Sequence, residues 1–65
     1  MKEKTEKDYA IIINSKCIRV YTDLIRQSAI SLKNDGKIND IDLNNIVWFL
    51  GRIDEKTNRL EELAE

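Results

Sequence analysis

Proline and histidine are absent from this chain, and cysteine, tryptophan and methionine occur once each. Without proline, nothing in the backbone chemistry interrupts a long helix. With no histidine and the single thiol of Cys17, a structural zinc site lacks ligands and a disulfide within the chain lacks a second half. A lone cysteine suits a reducing compartment. No apolar run approaches the roughly 18 residues a membrane-spanning helix needs, and no charged stretch followed by an apolar one resembles a signal peptide. The expected location is cytoplasmic. Nucleophile–base pairs and glycine-rich phosphate loops are also missing, and the paired Glu61 and Glu62 fall in a polar terminal turn with no pocket around them. The expectation is therefore a protein that is not an enzyme and uses no cofactor and no metal.

What is present is charge and aliphatic bulk. Charged residues make up 35% of the chain and hydrophobic ones 42%, the balance of a folded helical protein. At 65 residues it forms one domain, 1–65, and buries too little apolar surface to be comfortably stable alone. With disulfides and zinc unavailable, self-association is the expected remedy. The net charge of −1 hides an asymmetry. Lys16, Arg19, Arg26 and Lys33 stand against Asp23 in residues 9–33, whereas residues 34–65 carry four basic and eight acidic groups. Two halves of opposite sign attract when folded together. Ile, Asn and Lys fill 10, 6 and 7 positions, a bias that suits an AT-rich gene and hence a bacteriophage or other mobile element.

Asn34-Asp35-Gly36 is the clearest breaker, a cluster that ends a helix on a residue of positive φ. Before it, Ile11, Ile18, Ile25 and Leu32 recur every seven residues, with Ile13 and Val20 in a second column and Ala10, Cys17 and Leu24 in a third. That spacing describes a helix with a wide apolar face, in which Cys17 is a small core residue. Thr5 and Asp8 form a capping box in outline. After the breaker, Leu43, Ile46, Leu50, Ile53, Thr57, Leu60 and Ala64 keep an unbroken 3,4 spacing, an a/d seam over three heptads, behind Asn39 or Asp40 as cap. The fold expected is all-α: an antiparallel two-helix hairpin, with helix 1 over about 5–34, a turn at 35–39 and helix 2 over about 40–63. Helix 2's narrow seam cannot cover helix 1's wide face, so the hairpin is expected to dimerise into a four-helix bundle.

Trp48 lies opposite that seam, among Ile41, Asn44, Asn45 and Gly51, while Phe49 and Val47 flank the seam, and the stretch from Leu43 to Gly51 carries no charge. An uncharged patch around tryptophan on an otherwise solvated face marks a protein contact; packing of Trp48 in a homodimer core is the alternative. Gly51 costs about 1 kcal/mol in a helix and lets another helix approach. The basic stripe Lys16, Arg19, Arg26 and Lys33, read as helix 1's outer face, would suit phosphate backbones when doubled in a dimer. In length and helix arrangement the hairpin resembles the small dimeric RNA-binding regulators of plasmid copy number, which implies paired helix faces that bind RNA loops; no residue-level motif is shared. Asp35, Gly36, Ile38 and Asp42 match the second half of an EF-hand loop. Ser31 and Lys33 break the first half, placing a cation where a carboxylate belongs, so a capped turn accounts for the segment.

Together these features point to a small regulatory or adaptor protein that binds another protein through Trp48, Ile41, Asn45, Phe49 and Gly51, and inhibits or positions it. An RNA- or DNA-binding regulator using Lys16, Arg19, Arg26 and Lys33 is the rival reading. No membrane partner is expected.

Overall fold

Residues 3–65 are described in the computed structural model, which contains two helices: α1, Glu6–Asn34, and α2, Asp40–Ala64. The starts and stops follow from local chemistry. Thr5 caps α1 in a reciprocal box: its hydroxyl accepts from the Asp8 amide at 3.2 Å, and the Asp8 carboxylate accepts from the Thr5 amide at 2.9 Å. At the other end Gly36 takes φ +74°, and the Lys37 amide donates to the Leu32 carbonyl at 2.9 Å, closing the last turn. Asn39 then caps α2, its side-chain oxygen accepting from the Asp42 amide at 2.8 Å. The segment that resembles half a calcium loop is thus a glycine turn plus a helix cap.

Arg19 pairs with Glu61, Arg26 with Asp54 and Lys33 with Asp40, an order that makes the two helices antiparallel. The hairpin measures 52 × 15 × 13 Å. Among the described residues no helix is long and apolar enough to cross a membrane.

The line of contact between the helices differs from the expected one. The side chains buried along it are Ser15, Thr22 and Ala29 on α1, and Leu50, Thr57 and Ala64 on α2, each set spaced by seven. Small side chains let the helix axes approach closely, which makes this column and not the isoleucine column the centre of the seam. Its hydroxyls turn back on the backbone: Thr57 donates to the Ile53 carbonyl at 2.8 Å and Thr22 to the Arg19 carbonyl at 3.0 Å. Ser15 Oγ, buried, has no hydrogen-bond partner among the described residues.

On either side of this seam runs a different kind of flank. One carries the three interhelical ion pairs. The other carries the heptad columns expected to form the core, Ile11, Ile18, Ile25 and Leu32 on α1 with Ile46, Ile53 and Leu60 on α2, of which Ile25, Ile53 and Leu60 remain 49%, 42% and 42% exposed. The a/d seam of α2 is therefore split: its a column faces α1, and its d column lies half-exposed along the flank. Cys17 is also corrected, from core to exposed. It lies two residues past buried Ser15, about 200° around the helix.

Candidate interaction surface

α2 turns its far side to solvent, and the uncharged stretch of the sequence puts large side chains there. Ile41, Trp48 and Phe49 are 70%, 61% and 61% exposed, and Asn45 and Gly51 are exposed as well. Ile41 and Trp48 stand two turns apart on one stripe, with Asn45 between them. The aromatic rings are not loose. Trp48 and Phe49 meet edge to face, centroids 5.1 Å apart at 74°, the arrangement their quadrupoles favour. The Arg52 guanidinium, one turn on, lies 5.9 Å from the Trp48 ring centroid and also donates to Glu55 at 3.2 Å. Trp48 thus has both neighbours on its own helix while most of its surface stays open to solvent. Gly51 meets nothing: a β-carbon built there has no heavy atom within 4 Å.

The basic residues stand elsewhere than expected. Of the four, Lys16 is the exposed one, with its charge felt at Glu61. Arg19, Arg26 and Lys33 lie at the edge of the interhelical seam and face acids of α2. Arg19 is bidentate to Glu61, at 2.9 and 3.0 Å, and also donates to the Asn58 side chain. Arg26 bridges Asp23 at 3.0 Å and Asp54 at 3.1 Å, and Lys33 reaches Asp40 at 3.2 Å. The reason lies in the charge asymmetry itself: Arg19 and Arg26 on α1 and Asp54 and Glu61 on α2 share a seven-residue spacing, so antiparallel packing brings them face to face. The Arg19 hydrogen bond holds the Glu61 carboxyl below the usual carboxylate range, against some opposing desolvation and with help from the Arg19 and Lys16 charges. The same hydrogen bond raises the Arg19 guanidinium further above its ordinary value.

A second surface was not singled out in the sequence. Ile18, Phe49, Ile53, Thr57 and Leu60, together with Arg52 and Lys56, line an open groove of about 300 Å³ on the flank away from the ion pairs. The signal for it was present as a surplus: more apolar columns recur every seven residues than one interhelical seam can bury. Phe49 belongs to both surfaces, lining the groove and touching Trp48.

Among the described residues no cluster of three or more His, Cys, Asp or Glu could hold a metal ion. What the arrangement offers is contact area. Compared with protein-family models, with curated proteins and with solved structures, the chain matches none.

Proposed function

We propose that this chain is a small non-enzymatic regulatory or adaptor protein whose hairpin pairs with a second copy into a four-helix bundle. Through the outward face of α2 it docks onto a larger protein and blocks or positions it. The supporting observation is the exposed aromatic pair: Trp48 is 61% exposed and contacts Phe49 and Arg52, with Ile41 on the same stripe. Large rigid aromatics at the centre of an uncharged patch are the residues that dominate protein interfaces. A cytoplasmic setting and an origin in a phage or other mobile element fit the lone cysteine and the residue bias.

The nucleic-acid reading has less behind it. Three of its four basic residues already neutralise carboxylates of the same chain, so fewer counterions would be released on meeting a phosphate backbone. The test is affinity capture from nuclease-treated host lysate with wild-type, Trp48→Ala and Arg26→Gln baits of matched helicity and mass. The docking reading expects a partner held by wild type and Arg26→Gln, and weakened by Trp48→Ala by about 2 kcal/mol, roughly thirtyfold. Equal capture by all three baits would remove Trp48 from the contact. From lysate not treated with nuclease, salt-sensitive retention of RNA or DNA, lost with Arg26→Gln, would favour the rival.

A further inference from the structure

We infer that the second copy seats on one particular surface: the apolar flank of the hairpin, formed by Ile18, Ile25 and Leu32 of α1 with Ile46, Ile53 and Leu60 of α2. This rests on the pairing proposed above and names its contact face. Three observations converge on it.

The first is area. The chain exposes 5412 Å². A compact monomer of its 7.6 kDa would expose about 4,300 Å² by the usual scaling of surface with mass. The excess, about 1,100 Å², is more than the roughly 800 Å² that each partner gives to a standard stable interface. A second copy on one long face removes surface of this order.

The second is register. The ion pairs place Arg19 level with Glu61 and Arg26 level with Asp54. On the opposite flank that register sets Ile18 level with Leu60, Ile25 with Ile53, and Leu32 with Ile46. These are three rungs of branched aliphatics, seven residues apart on both helices, bordered on the α2 side by Arg52 and Lys56. A flat ladder of this kind is self-complementary under a two-fold axis, the commonest symmetry of a dimer.

The third is exclusion of the other faces. The opposite flank is occupied by Arg19–Glu61, Arg26–Asp54 and Lys33–Asp40, and burying three ion pairs carries a desolvation penalty that burying aliphatic side chains does not. The far side of α1, with Ile13 and Val20, offers one helix only and is interrupted by Lys16 and Gln27. A four-helix bundle needs both helices of each hairpin in the contact, and the apolar flank alone supplies both.

The test combines mass and cross-linking on the full chain. Wild type and Trp48→Ala should sediment as two copies at micromolar concentration, whereas Ile53→Asp should weaken self-association at least tenfold. Because Ile53→Asp could also unfold the chain, Ile53→Cys and Val20→Cys are compared in a Cys17→Ser background under mild oxidation. Ile53→Cys, at the middle rung, should give a covalent dimer with retained helicity, and Val20→Cys should not. A monomeric wild type, an Ile53→Asp variant that stays dimeric, or a covalent dimer from Val20→Cys and not from Ile53→Cys would each overturn the assignment. Loss of partner capture by a Trp48→Ala protein that remains dimeric reports on the docking face separately, so failure of the docking reading and failure of the pairing reading are distinguishable.

Discussion

Gly51 and Ser15 are both small residues in helix interiors, in opposite surroundings. At Gly51 a β-carbon would meet open space, so Gly51→Ala should raise stability by about 0.5–1 kcal/mol through helix propensity alone, readable as a shifted urea midpoint. If glycine is there to admit a partner's helix, the same variant, though more stable, will hold that partner less tightly. Ser15 is 1% exposed and its hydroxyl finds no acceptor or donor among the described residues. Removing that hydroxyl should help: Ser15→Ala is expected to stabilise by about 1 kcal/mol in the same measurement, since an unsatisfied buried polar group costs more than a missing one. Thr22 and Thr57, in the same column, bond to backbone carbonyls and should show no such gain.

Among the elements, the helix ends are where sequence and structure agree most closely, because caps and turns are decided by a few adjacent residues. Thr5 with Asp8, Gly36, and Asn39 with Asp42 all perform locally what their side chains permit. How the two helices lock is a longer-range matter, and Glu61 gives a handle on it. Its folded-state carboxyl titrates lower than it would in an unfolded chain, because Arg19 donates to its ionised form. The stabilisation is therefore fully present above the ordinary carboxylate range and disappears as pH falls through the depressed folded value. Thermal melts across pH should show Glu61→Gln less stable than wild type near neutrality and converging with it in acid. A constant gap at every pH would mean the pair contributes through shape and not through charge.

For the whole molecule, the helical class and the excess of apolar surface were legible, but the packing face was not. The Ser15–Thr22–Ala29 and Ile18–Ile25–Leu32 columns share one period, and periodicity cannot say which of them points at the other helix. Hydrophobicity favoured the isoleucines; close approach of two backbones favours the small residues. The inward turn of Arg19 and Arg26 was hidden for a related reason. It depends on where Glu61 and Asp54 come to lie, which is a property of interhelical register and not of either helix alone. At this scale the expected behaviour is concentration dependence: with Ala29, Leu50 and Ala64 the only buried apolar side chains among the described residues, one hairpin has little to hold it. Its melting temperature should climb with protein concentration across the micromolar range. A midpoint indifferent to dilution would mean the hairpin stands without a second copy.

Phe49 sits with one edge on Trp48 and another on the groove. A side chain shared by two contact surfaces ties their equilibria together. If the two proposed contacts both form and favour the same setting of the phenyl ring, a partner on the indole would tighten the pairing of two hairpins, and diluting the hairpins apart would loosen the partner. Thermodynamic reciprocity makes those two factors equal. The protein would then read its own abundance, engaging its target steeply once there is enough of it to pair.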